Sequence, residues 1–310
     1  MTVGVGDLLD KKLVFVTGKG GVGKSTVALS LGLAGAARGK RTIVCEIASQ
    51  ENVSRVFRRA QVGFNEVELT PGLWGISIDP DESMREYLLL QLKVKAMRDL
   101  LMRSKLFLYL AQAAPGLKEL VTIGKIWELT LPDRKVKGME PYDLVVVDAP
   151  ATGHGIGFLQ TPRTFAEIAR VGPIHNQAAT LDAQITNHEQ TGVAIVSLPE
   201  EMPVNESASL EQQLIDDVGV AVDRIYMNAL YPTLFSEAEA DTLAGLRDSA
   251  EGADKAAIAA ALSEHRRATV QHAQLERLTE MTRTPITELP FIFKPQLDLG
   301  DFNELAELAT

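Results

Sequence analysis

The chain has 310 residues, 45% of them hydrophobic, enough to bury a large α/β core. A net charge of −10 argues against a sequence-independent grip on nucleic acid, and a single cysteine, Cys45, excludes a disulfide or a thiolate cluster for metal, iron–sulfur or arsenite. The N-terminal residues lack the apolar core of a secretory signal and no apolar run reaches the roughly 20 residues of a membrane span, so a soluble cytoplasmic protein is expected.

An apolar run at residues 13–16 breaks into a loop with glycines at Gly18, Gly20, Gly21 and Gly23, closed by Lys24, Ser25 and Thr26. This is the phosphate-binding loop pattern G-x-x-x-x-G-K-[ST] between a strand and a helix. Backbone N–H groups close around phosphate oxygens only where no Cβ intrudes, which accounts for the glycines. Lys24 is placed to reach the β- and γ-phosphates and Ser25 to ligate Mg²⁺, with Val22 and Thr26 completing the cradle at the helix N-terminus. Lys19, directly after the first glycine, adds a second lysine to the loop.

After the loop, residues 25–39 read as a helix stopped by Gly39, and RTIVCEI as the strand that completes a βαβ unit. Further apolar runs, LWGISI, LVVV and VAIVSL, fit parallel strands buried on both faces. The expected fold is α/β: a P-loop NTPase with a doubly wound, mostly parallel sheet and the nucleotide at the carboxyl ends of its strands. One domain is expected over residues 1–310, with a helical subdomain at about 80–135.

Those strand ends carry the other candidates. LVVVD ends at Asp148, which puts a carboxylate near Mg²⁺. Residues 149–157, with three glycines and His154, read as a loop able to change conformation with the γ-phosphate. Glu46, near the end of the second strand, is either a group that orients the attacking water or a plain strand terminator.

Elsewhere, residues 84–110 carry apolar stripes on two helical sides, as a core layer or a sheltered docking surface would. Residues 235–282 read as a solvated helical hairpin, and the last thirteen residues as an acidic, non-amphipathic tail without a membrane anchor.

Taken in order, GKGGVGKST, WGISIDP, PGLKE, DAPATGHGIGFLQTP and VAIVSLPEEMPVNES resemble the ArsA-type ATPases, the family of arsenite-pump ATPases and tail-anchored-protein targeting factors. The resemblance spans most of the chain. It implies an ATP- and Mg²⁺-dependent homodimer, or heterodimer with a paralogue, that closes over nucleotide and acts on a protein client. It implies that Lys19 belongs to a deviant Walker A motif and crosses to the partner's nucleotide, and that Gly18, Lys24, Ser25, Thr26 and Asp148 serve phosphate and Mg²⁺. Asn228, at the end of the strand DRIYMN, would read adenine, and Pro290 with Phe291 would pack along the base.

Three departures qualify the resemblance. The family's switch I aspartate is Ala48 here, so either Glu46 substitutes, or a paralogue supplies the group, or the chain is a hydrolysis-poor regulatory subunit. The family's zinc and arsenite cysteines are absent, so neither ligand is expected. The methionine-rich insertion of the targeting factors is replaced by about 30 residues, 163–190, read as polar, which truncates the usual client groove.

Overall fold

The computed structural model describes residues 7–47, 56–57, 62–91, 116–134, 140–150 and 152–309. Among the described residues eight strands form one sheet: β1 (Leu13–Gly18), β2 (Thr42–Ile47), β3 (Val67–Thr70), β4 (Leu73–Ile78), β5 (Leu144–Asp148), β6 (Thr191–Ser197), β7 (Val222–Leu230) and β8 (Ile286–Pro290). Their order is β3-β4-β2-β5-β1-β6-β7-β8, and every pairing except β3 with β4 is parallel. The expected doubly wound sheet is present, with the loop-bearing strand β1 at its centre.

Strand alternation sorts the apolar residues into two layers. Leu13, Phe15, Cys45, Val145 and Val147 face one side with α3 (Leu117–Thr130), α4 (Thr152–Ala169), α5 (Pro173–Ile185) and α6 (Glu201–Gln213). Val14, Val16, Val44 and Val146 face the other, against α1 (Lys24–Ala37) and α9 (Leu299–Leu308). Cys45 lies in the first layer with no exposed surface, and burial pushes its thiol well above the ordinary range. It is a packing residue.

Helix α2 (Pro80–Gln91) and α3 are the described parts of the expected helical subdomain, and α2 buries Met84. The apolar stretch from 92 to 110 lies outside the described residues. The hairpin expected at 235–282 is α7 (Glu237–Leu246), opened by a capping box at Ser236 and Glu239, followed by the 30-residue α8 (Gly252–Met281). Among the described residues no helix is long and apolar enough to cross a membrane.

Four expectations need correction. The tail is amphipathic: α9 buries Phe302, Leu305 and Ala306 against α1, and Tyr226 Oη donates to Ala309 O at 2.7 Å. The spacing of those apolar residues is helical, so an acidic composition concealed a docking face. Residues 149–157 are helical from Thr152 onward, because packing of Ile156, Phe158 and Leu159 into the core overrides the helix-weakening glycines. Strand β7 continues past Asn228 to Leu230; Ala229 takes a left-handed φ of 58°, and pairing resumes at Leu230 with Pro290. The interval 163–190 is less polar at its surface than expected, since Ile168, Val171 and Ile174 are exposed at the α4–α5 connection.

Candidate functional site

The loop between β1 and α1 is shaped by glycines that nothing else can replace. Gly18 has φ 148°, and a methyl on it would lie 2.4 Å from Val196 O of the neighbouring strand. Gly23, the left-handed N-cap of α1 with φ 95°, would place one 2.2 Å from Asn228 Nδ2. That amide donates to Val22 O at 2.9 Å, so β7 holds the loop from the side. The helix N-terminus that follows Gly23 is thereby aimed at whatever the loop encloses.

Lys24 Nζ curls back to donate to Lys19 O at 2.9 Å. Burial lowers its pKa, and the charge of Asp148 opposes that shift. Ser25 Oγ donates to Asp148 Oδ2 at 2.5 Å, joining the first turn of α1 to the end of β5. A buried carboxylate and a hydroxyl in contact form an all-oxygen donor pair of the kind a hard divalent cation takes. Ser25, Asp148 and the glycine cradle therefore fit Mg²⁺ with a nucleotide phosphate.

Glu46 and Asp148 are register partners on adjacent parallel strands, so their side chains leave the sheet on the same face, the one covered by α1. Glu46 is 1% exposed and β2 runs on to Ile47, so it does not end the strand. The structure thus brings together Lys24, Ser25, Asp148 and Glu46. Ala48 lies outside the described residues.

Lys19 forms an ion pair with Glu206 of α6 at 2.7 Å within the same chain. Sequence reasoning did not find Glu206, since nothing local links residues so far apart; only its place in the stretch VAIVSLPEEMPVNES pointed to the region. Both side chains are about one-third exposed, and such a pair contributes about 0.2–1 kcal/mol. It is easily exchanged for another partner.

Beyond Asn228, at the carboxyl ends of β6, β7 and β8, opens a cleft of about 790 Å³ lined by Leu198, Pro199, Tyr231, Arg267, Gln271 and Phe291. Phe291 stacks on Tyr231 with ring centroids 4.7 Å apart, and Arg267 Nη1 donates to Tyr231 Oη at 2.7 Å. Pro290 is the last residue of β8, and Phe291 N donates to Leu230 O at 2.9 Å. The segment expected to pack along a base therefore edges a flat aromatic cleft. Tyr231, Arg267 and Gln271 carry no motif in the sequence.

A profile of the family described as anion-transporting ATPase (ArsA ATPase) matches residues 11–180, from the strand before the loop into α5. This chain belongs to that family. Among its relatives are ATPase BagA of Mycobacterium tuberculosis, 28% identical over 96% of this chain and 92% of that protein, and the arsenical pump-driving ATPase of Acidiphilium multivorum, 26% identical over 81% and 44%. ATPase get3 of Schizosaccharomyces japonicus is 30% identical over 57% of this chain and 55% of that protein. Nucleotide-binding ATPase chemistry is the common property of this anion-transporting ATPase family, and the loop, Ser25 and Asp148 occupy the matched region.

Asp148 is 2% exposed, and burial raises its pKa against the opposing Ser25 hydrogen bond and Lys24 charge. A carboxyl raised in the folded state favours folding below its unfolded pKa, and that contribution is lost as pH rises through the folded value. Ionised Asp148 therefore costs stability at neutral pH. Asp148→Asn is expected to raise the melting temperature of the nucleotide-free protein at pH 7 by about 2 °C. The gain should narrow as pH falls toward the carboxylate range, as thermal melts across pH would record.

Proposed function

We propose that the chain is a dimeric, Mg²⁺-dependent ATPase that couples its nucleotide state to a protein partner. The observation that carries this reading is the contact of Ser25 with Asp148 at 2.5 Å, with Lys24 beside them at the mouth of a glycine cradle. Lys24 turns from Lys19 O to the β- and γ-phosphates, and Gly18, Gly20, Gly21, Val22, Gly23 and Thr26 supply the cradle around them. When bound, Mg²⁺ neutralises phosphate charge in the transition state. Ser25 and Asp148 hold its position, and Glu46 orients the attacking water. Asn228 keeps Nδ2 on Val22 O and offers Oδ1 to the adenine amine, while Pro290 and Phe291 pack along the base in the aromatic cleft.

Lys19 leaves Glu206 and reaches the nucleotide of the other subunit, which makes the loop a deviant Walker A motif and turnover a property of the dimer. Charge on the transferring phosphoryl group is then met by one lysine from each subunit. The single cysteine supports a role without arsenite, the acidic charge one without nucleic acid, and the cytoplasm is the compartment that fits.

The test combines phosphate release with sedimentation. Mg²⁺-dependent release of phosphate from ATP and a twofold rise in mass with a non-hydrolysable analogue are expected, and Lys19→Ala should lose both. A second reading, a hydrolysis-poor regulatory subunit of a paralogue heterodimer, is favoured by Ala48. Tight ATP binding without phosphate release would select it, and absence of nucleotide binding would overturn both.

A further inference from the structure

The last side chain of β1 before the loop is a buried hydroxyl. Thr17 shares the inward row of Leu13 and Phe15 and is 1% exposed, yet its Oγ1 has no hydrogen-bond partner among the described residues. Buried hydroxyls are nearly always paired, because water is lost and nothing replaces it. An unpaired one needs an explanation in its surroundings.

Those surroundings are the segment that follows Asp148. A methyl built on Gly155, in the first turn of α4, would lie 3.0 Å from Thr17 Oγ1 and 3.1 Å from Pro150 O. The hydroxyl and the Pro150 carbonyl therefore converge on one small space beside Gly155, which a side chain there would crowd. A hydroxyl is a donor and a carbonyl is an acceptor, so the two are complementary. They are not bonded to each other.

Their positions along the chain give the convergence its meaning. Thr17 is joined directly to Gly18 of the phosphate loop, and Pro150 stands two residues past Asp148. The pair therefore links the strand that carries the phosphate loop to the segment that follows Asp148. We propose that Thr17 is a positioning residue: in the ATP-bound state its Oγ1–H donates to Pro150 O and fixes the segment after Asp148 against the phosphate loop. The proposal rests on the ATPase reading above. Thr17 acts through the main chain, touches no phosphate, and contributes to the catalytic geometry without contributing to nucleotide affinity.

Thr17→Val keeps the shape and removes the hydroxyl; Thr17→Ser keeps the hydroxyl. In steady-state assays of the full chain with Mg²⁺ and ATP, the valine variant is expected to lose about tenfold in kcat with KM within about twofold, and the serine variant to recover most of the loss. Hydrogen exchange with a non-hydrolysable ATP analogue should show protection of residues 149–157 in the wild type and the serine variant, and not in the valine variant. Unchanged kcat in Thr17→Val, or equal impairment of both variants, would overturn the proposal while leaving the ATPase reading intact. Failure of the wild type to bind or hydrolyse ATP would instead overturn the reading on which it rests.

Discussion

Replacing Lys24 with alanine is expected to lower ATP turnover by about 10²–10³-fold, the loss found when a preorganised group facing transition-state charge is removed. The lysine opens α1 at the end of the loop, and the structure shows what holds it ready. Its Nζ is tethered to Lys19 O at 2.9 Å, and the neighbouring Asp148 carboxylate favours its charged form against the burial that disfavours it. An incoming γ-phosphate replaces a neutral carbonyl with an anion, so the interaction strengthens as negative charge gathers in the transition state. Ground-state affinity should fall less than turnover, because the glycine cradle and helix N-terminus still bind phosphate. Stability should change little, since alanine is a good helix former at the first position of α1 and half-buried charge is removed with the side chain. Phosphate-release rates, fluorescent-nucleotide titration and a thermal melt of the same preparation separate the three. Equal turnover in the variant and the wild type would remove the proposed function.

The parts of this site that are legible in the sequence are those whose chemistry is local. The cradle glycines, Lys24 and Ser25 sit within one short stretch, and Asp148 is marked by the apolar run LVVV that ends on it. Strands of a doubly wound sheet are buried on both faces, so β1, β2, β4, β5 and β6 stand out as near-continuous apolar runs. What was not legible depends on folding. Glu206 meets Lys19 across 187 residues, and the aromatic cleft joins Tyr231 from the end of β7 with Arg267 from the middle of α8. The acidic residues of the tail dominate its composition and mask the helical spacing of Phe302, Leu305 and Ala306. The run DRIYMN marks Asn228 as a strand end; the ladder instead absorbs the left-handed Ala229 and continues.

The cluster at Arg134 also escapes sequence reading, and removing it should have the largest effect on stability. Its side chain is 1% exposed and its guanidinium lies between two carboxylates: Nε donates to Glu128 Oε1 at 2.9 Å, and Nη2 donates to Glu66 Oε1 at 2.6 Å and to Glu128 Oε2 at 3.0 Å. Tyr142 Oη donates to Glu66 Oε2 at 2.7 Å, and Lys125 bridges Glu86 at 3.0 Å and Glu128 at 3.8 Å. Burial works against the Arg134 charge, but the hydrogen bonds and charges of Glu128 and Glu66 prevail and raise its pKa. The cluster joins the chain just after α3 to the residues preceding β3 and β5. Arg134→Ala leaves two buried carboxylates without their shared cation, a change that costs about 3–5 kcal/mol. At about 2–4 °C per kcal/mol, the melting temperature should fall by about 10 °C. The same principle predicts recovery when the charges are removed together. Adding Glu66→Gln and Glu128→Gln to Arg134→Ala should restore part of the loss, because an amide is far easier to bury than an unpaired carboxylate. Turnover per folded molecule, measured well below the melting temperature, should stay at the wild-type value, since α3 and Tyr142 pack on the sheet face opposite the one that carries α1. A fall in turnover without a fall in melting temperature would show that the Arg134 cluster communicates with the nucleotide site.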